Sequence, residues 1–211
     1  MFDPGPIGFH AAGLTSAGPT SAGLAYDAVL GIDPGVSRCG YGVIRRDGSV
    51  FSATACGVIR TPPTDPLPSR LAALAAELEA LIEECRPGVL AVERVLFQVN
   101  TRTAMSVGQA SGLALAIAGR RGIPVVSYSP NEVKLAVAGA GGASKGEVQA
   151  MVARLLRLAA PPESPDASDA LALALCHWWQ APLRAATNGE SGLVPGLTAA
   201  IAAAVAQESS S

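Results

Sequence analysis

Four acidic residues in three separate segments have types and positions that suit the binding of divalent metal ions. Asp33 and Glu93 each end a short apolar run, AVLGID and GVLAVE. Such runs are typical of buried strands, and a carboxylate at a buried strand tip is unusual because acids are rarely buried without a partner. Asp166 and Asp169 begin an apolar helical stretch and, being three residues apart, share one helix face. Carboxylate oxygens are the hard ligands that Mg²⁺ and Mn²⁺ prefer.

Each acid also has an ordinary structural interpretation. An Asp before Pro-Gly, as at Asp33, is often only a turn former. Glu93 precedes Arg94, with which it can form a surface ion pair. Asp166 or Ser168 can simply cap the last helix or favour its dipole. The metal site is therefore favoured by all four acids together and by none of them alone.

The composition predicts one soluble α/β domain with tails. The chain has 211 residues, of which 49% are hydrophobic. It lacks the roughly 18 consecutive apolar residues of a membrane span and the pattern of a signal peptide, so we expect no membrane association and a cytoplasmic location. The four cysteines are scattered without a CxxC pair, which argues against zinc and suits a reducing compartment.

The net charge of −2 does not by itself favour a nucleic-acid partner. All 15 Lys and Arg residues, however, lie between residues 28 and 184, whereas four of the 17 acids lie outside that range. Bound metal would also offset the four candidate ligands. The remaining surface is then compatible with DNA binding, although a bland soluble domain can have the same balance.

Three regions follow from the distribution of residue types. Residues 1–26 are rich in Gly, Ala, Ser, Thr and Pro and are predicted to be a disordered extension. Residues 27–182 form the predicted catalytic domain. Residues 183–211 are an Ala-rich tail with no visible chemistry.

The pattern within the central region predicts three strands followed by alternating helices and strands. The first three strands are close in sequence, with a turn at Asp47-Gly48, and should form an antiparallel meander. A fourth strand beside the first would place Asp33 and Glu93 at one sheet edge, where α/β sites usually lie. The pattern predicts strands at 28–33, CGYGVIRR, SVFSATACGVIR, GVLAVE and IPVVSY, and helices at SRLAALAAELEALIEEC, 101–120, 131–137, 144–158 and 166–180. This order outlines an α/β RNase H-like fold, a mixed five-stranded sheet flanked by helices.

Five blocks in order resemble the RuvC family of Holliday junction resolvases. They are GIDPGVSRCGYGVI, AVERVLFQVN, MSVGQASGLALA, NEVKLAVAGAGGASKGEVQAMV and PDASDALALALCH. The resemblance implies a homodimeric endonuclease that nicks four-way DNA junctions symmetrically with Mg²⁺, or Mn²⁺ in its place. Two ions per active site are expected, and a branch-migration motor of the RuvA and RuvB type is an implied partner.

The resemblance also implies roles for particular residues. The four catalytic, metal-binding carboxylates fall on Asp33, Glu93, Asp166 and Asp169, and the two functional lysines fall on Lys134 and Lys145. The DNA-binding residues it implies are Phe97, Asn100, Arg102 and the same two lysines. Leu96 stands where many members have a first aromatic residue, and Val99 stands where a Lys is common, so the sequence does not decide which side chain wedges at the crossover.

Three rival functions follow from the same residues. GIDPG also resembles the phosphate-binding turn of actin-like ATPases, but that class needs two such domains around its nucleotide. A protein that binds structured nucleic acid without cutting it would gain nothing from acids facing phosphate. A RuvC-like nuclease acting on RNA is the third alternative, and the blocks around Lys134 and Asp166 favour the DNA enzyme.

Overall fold

The computed structural model describes residues 26–94 and 101–187, and side chains within residues 26–94 and 104–182. Its elements follow the predicted order. They are β1 (Ala28–Asp33), β2 (Arg38–Asp47), β3 (Val50–Arg60), α1 (Leu67–Cys85), β4 (Val89–Glu93), α2 (Thr101–Arg120), β5 (Val125–Tyr128), α3 (Pro130–Ala138), α4 (Lys145–Leu155) and α5 (Pro165–Thr187). None of the helices in this part of the chain has the length and unbroken apolar character that crossing a bilayer requires.

The five strands form one mixed sheet in the order β3-β2-β1-β4-β5. β1, β2 and β3 pair antiparallel, whereas β4 runs parallel to both β1 and β5. The predicted meander and the predicted pairing of the first and fourth strands are therefore confirmed. Because β1 and β4 run parallel in register, with Ile32 opposite Val92, their final residues Asp33 and Glu93 reach the same sheet edge.

Two apolar cores lie on opposite faces of the sheet. Successive strand residues alternate between the faces, so Val29 joins the core beneath α3, α4 and α5, and Leu30 joins the core beneath α1 and α2. α1 buries the stripe that its helical periodicity predicts: Leu74, Leu78, Leu81 and Ile82. Both faces are thereby covered, as a sheet with parallel central strands requires.

Helix α5 lies unusually close to β1 and β2 because three glycines line its path. A Cβ atom at Gly31 would overlap the carbonyl oxygen of Ala170, and one at Gly42 would lie 2.8 Å from the backbone nitrogen of Leu171. A Cβ at Gly40 would overlap the carbonyl oxygen of Asp166. The helix backbone therefore rests directly on the strands, which fixes the height of its first turn above the sheet edge.

The boundaries of three predicted segments were wrong. Tyr26, assigned to the disordered extension, packs against α5, where its hydroxyl lies 2.5 Å from His177 Nε2. α4 ends at Leu155 instead of residue 158 because Arg157 turns into the left-handed region, with φ of 53°. α5 continues past residue 180 to Thr187, with Pro182 inside the helix.

We expect Gly31→Ala to lower the free energy of unfolding by at least about 2 kcal/mol, because the new methyl group meets helix backbone, which is less able to move aside than a flexible side chain. Urea denaturation measures this loss. Gly119→Ala is the matched control: Gly119 is exposed on α2 with open space around it, and alanine favours helix. Equal stability of the Gly31 variant and the wild type would contradict the close packing of α5.

Candidate active site

The four predicted ligands come together at one sheet edge. Asp33 ends β1 opposite Gly40 of β2, and Glu93 ends β4 on the other side of β1. The Cβ of Asp166 lies 3.0 Å from the position that a Cβ of Gly40 would take, so the first turn of α5 stands above the Asp33–Gly40 pair. Asp169 follows on the same face of α5. The three segments therefore converge because of the sheet register and the glycine-lined path of the helix.

Two acids of the cluster, Asp33 and Glu93, have a raised pKa. The pKa of Asp33 is raised to about 7. Burial is the largest cause, the charges of Glu93, Asp169 and Asp166 follow in that order, and the charge of Lys145 opposes the rise. Burial and then Asp169 also raise the pKa of Glu93, against Lys145 and a hydrogen bond from Asp33. Burial and the neighbouring acidic charges therefore favour the protonated form of Asp33 more than is usual for an aspartate. Without bound cations, neighbouring carboxylates in such a cluster are not expected all to ionise, because their negative charges repel one another.

Two basic side chains from other elements neutralise the helix acids. Lys145, the first residue of α4, lies with its Nζ 2.6 Å from Asp169 Oδ2. Arg38, the first residue of β2, donates from Nε to Asp166 Oδ2 at 2.7 Å and from its terminal nitrogen to Ser164 Oγ at 3.1 Å. Burial alone lowers the pKa of Lys145, but its hydrogen bond to Asp169 and the nearby acidic charges raise that pKa overall.

The residues fit a divalent cation by their chemistry. The four acids lie near one another, but among the described residues no three Asp, Glu, His or Cys side chains are arranged as a ready metal cage. Two of the four carboxylates are instead turned towards Lys145 and Arg38. Four neighbouring carboxylates are nevertheless a donor set that suits Mg²⁺ or Mn²⁺, since a bound ion removes the repulsion between their charges.

Known proteins are similar to this chain over the segments that carry the cluster. The family model for "Crossover junction endodeoxyribonuclease RuvC" matches residues 29–177, which include all four acids and both lysines. This chain belongs to the RuvC family. Proteins of that name from Salinispora arenicola and Streptomyces avermitilis are 53% and 52% identical over 157 and 155 residues, covering 74% and 73% of this chain and 90% and 88% of theirs.

A solved structure agrees with the fold. Thermus thermophilus RuvC in complex with a Holliday junction substrate superposes with a TM-score of 0.71 at 36% identity, covering 74% of this chain and 96% of that one. The yeast mitochondrial Holliday junction resolvase, at 20% identity and a TM-score of 0.53, shares the fold alone. The predicted RNase H-like fold and the predicted RuvC membership are thus confirmed.

The other predicted residues of this RuvC family member are placed as follows. Lys134 lies half-buried on α3, and no ion pair among the described residues involves it. Phe97 and Asn100 fall outside the described residues, and so does the side chain of Arg102 in the first turn of α2. Their roles in DNA binding stay predictions.

Several other side chains have partners outside the acidic cluster. Arg94 does not neutralise Glu93: its nearest acid is Glu132, at 3.7 Å. His177 is buried between two tyrosines, with Tyr128 Oη 2.9 Å from its Nδ1. Arg120 and Arg121, at the end of α2, pair with Glu79 and Glu83 of α1.

Sequence reasoning missed the residues that fix the loop between β1 and β2. Val36 donates its backbone N–H to Ser106 Oγ of α2 at 3.3 Å, and its carbonyl accepts from Thr61 Oγ1 at 2.7 Å. Arg70 of α1 donates to both Thr61 Oγ1 and Ser37 Oγ. No local pattern marks these polar residues, because their partners lie far away in sequence. These hydrogen bonds connect the segment that follows Asp33 to α2, to the end of β3 and to α1.

In the presence of a chelator, we expect stability to fall as the pH rises from about 4 to about 7. The pKa of Asp33 is about 7 in the fold against 3.8 ordinarily, so the folded state keeps a proton that the unfolded state releases. Its contribution is fully present below the lower value and is lost as the pH passes the higher one. Urea unfolding at several pH values should give a flatter profile for Asp33→Asn than for the wild type.

Asp65→Asn, in the exposed loop before α1, is the control and should keep the pH profile of the wild type. Identical profiles for Asp33→Asn and the wild type would show that Asp33 titrates normally.

Proposed function

We propose that this protein cuts four-way DNA junctions by symmetric nicking of two strands of like polarity, using divalent metal ions. The observation that carries the proposal is the convergence of Asp33, Glu93, Asp166 and Asp169 in a chain whose residues 29–177 match the RuvC family model. The relative from Thermus thermophilus was solved with a Holliday junction substrate. A role in DNA recombination and repair follows from that reaction.

We assign the four carboxylates to metal binding, with Mg²⁺ as the natural ion and Mn²⁺ as a substitute, two ions in each site. Asp33 lies centrally, between Glu93 on β4 and the two acids of α5, and is the best candidate to contact both ions. Bound ions supply Lewis acidity, which activates water and offsets charge on the phosphate and leaving oxygen. The protein contributes a fixed frame, because two of the acids end strands and the other two lie near the start of α5.

Lys145 is suited to a second task once metal is bound. Its side chain is 58% exposed, and its ammonium lies beside Asp169. An ion at Asp169 would release this cation from its partner, leaving it free to contact a phosphate oxygen or steady negative charge during the reaction. Lys134, on the neighbouring α3, is assigned to the same DNA-facing side by the family resemblance.

A homodimer suits a junction with near two-fold symmetry, because two equivalent sites can then cut two equivalent strands. The exposed side of α2 offers the most favourable surface for self-association. Met105 is 65% exposed, although it is large and apolar. Small exposed residues continue the same stripe at helical spacing: Gly108, Gly112, Ala116 and Gly119. Small residues permit close approach of two helices.

The remaining assignments rest on the family. A branch-migration motor of the RuvA and RuvB type is the expected partner complex, and the cytoplasm is the expected location. The Phe97–Arg102 segment is assigned to contact with the junction centre, with Phe97 as the candidate wedge residue.

The direct test is incubation of the protein with a synthetic four-way junction, with and without Mg²⁺. We expect paired nicks at symmetric positions only when metal is present, with linear duplex left intact. Cleavage of linear duplex or of RNA alone would exclude the proposed specificity. Binding without cleavage under all metal conditions would support the non-catalytic alternative.

Asp33→Asn should retain junction binding and lose cleavage, because it removes the central ligand without removing basic residues. Gel-shift and nicking assays on the same samples separate the two properties. Asp65→Asn, which removes an acid distant from the site, should cut at the wild-type rate. Undiminished cleavage by Asp33→Asn would refute the assignment of this residue.

Gly112→Glu should convert the dimer to a monomer, because it places a large charged side chain in the centre of the α2 stripe. Sedimentation analysis measures the change, and Gly146→Glu on the exposed start of α4 serves as the control. An unchanged dimer would move the interface to another surface.

A further inference from the structure

Two arginines stand side by side next to the acidic cluster. Arg38 of β2 is the direct antiparallel partner of Arg60, the last residue of β3. Opposite residues of an antiparallel pair project to the same face with Cβ atoms about 5 Å apart. Arg38 reaches Asp166 on the α5 face, so Arg60 projects to that face as well. Like charges directly opposite one another are destabilising unless an anion lies between or beside them.

Only one of the two guanidinium groups is neutralised. Arg38 pairs with Asp166 and is still 46% exposed. Arg60 is exposed and makes no ion pair or hydrogen bond with any other described residue. An arginine fork offers several N–H donors in one plane and matches phosphate oxygens well. The pair therefore has unused donors and an unrelieved positive charge.

The backbone holds these two arginines rigidly. Next to the pair, Thr61 donates its backbone N–H to the carbonyl of Ser37 at 3.2 Å, which extends the β2–β3 ladder by one step. Thr61 is buried, and Arg70 binds both its hydroxyl and that of Ser37. A fixed spacing of the two side-chain origins reduces the entropy lost when a ligand binds.

The position of the pair indicates which phosphate it can reach. Gly40 lies opposite Asp33, and Arg38 is two residues farther along β2, roughly 7 Å away by the rise of a strand. β3 is the edge strand of the sheet on this side. A nucleic-acid strand whose reacting phosphate sits at Asp33 would therefore pass the two arginines at a neighbouring phosphate.

We propose that Arg38 and Arg60 form a second phosphate-binding site, on the β3 side of the carboxylates, for a backbone phosphate flanking the one that is cut. The inference rests on the proposed function and adds the path of the bound strand. Arg60 is the cleaner residue to test, since Arg38 also touches a candidate metal ligand. The contact is sequence-independent, so it positions the strand and does not select bases.

The test is the salt dependence of junction binding in EDTA, where no variant can cut. Each lost phosphate contact lowers the slope of log affinity against log salt by about 0.9. We expect the slope to fall by about 0.9 for Arg60→Gln and by about twice that for the double variant Arg38→Gln with Arg60→Gln. Arg60→Lys should keep the wild-type slope. Arg86→Gln is the matched control, an exposed arginine at the end of α1 on the opposite side of the sheet from the acids.

An Arg60→Gln slope equal to those of the wild type and Arg86→Gln would overturn the proposal. If the wild type still cut junctions, the proposed function would stand and only the flanking phosphate site would fall. A wild-type protein that neither bound nor cut junctions would contradict both the proposed function and the flanking phosphate site. Circular dichroism of each variant confirms that the fold is retained.

Discussion

The contact between the backbone of α5 and the glycines of β1 and β2 determines the site. Two of the four acids come from this helix, and the other two end strands of the sheet, so the cluster exists only if the helix lies low on the sheet. Side chains at Gly31, Gly40 or Gly42 would lift it. Asp166 and Asp169 would then be displaced from Asp33 and Glu93 by ångströms, which is a large change for groups that must share an ion.

The close packing also creates an electrostatic cost that the rest of the site relieves. Burial, and after it the charges of neighbouring acids, raises the pKa of Asp33 and Glu93. Arg38 and Lys145, from opposite sides of the cluster, pair with the two helix acids. In the proposed complex, the same basic groups would be free to contact phosphate once metal ions bind the acids. One arrangement thereby serves both the metal-free protein and the proposed complex with DNA.

The sequence was sufficient for the parts of the structure that depend on periodicity. Aliphatic runs predicted the strands that end at Asp33 and Glu93, and the leucine stripe predicted α1. The helix acids were recognised from their spacing. By contrast, Arg38 and Arg60 are 22 positions apart and become neighbours only through the β2–β3 register, which no local pattern encodes. The same holds for the link from Ser106 to Val36, and for Tyr26, whose partner His177 lies 151 residues away. The role of Gly40 depends on a helix that begins 125 residues later.

In the proposed site, acids that are distant in sequence bind the same metal ions. Anomalous diffraction from crystals containing Mn²⁺ is the sharpest test of that binding. The account predicts anomalous peaks about 2.1 Å from carboxylate oxygens of Asp33, Glu93 and at least one acid of α5, with the displaced basic side chain turned away. Crystals that bind Mn²⁺ elsewhere, with Arg38 and Lys145 still paired to Asp166 and Asp169, would contradict it.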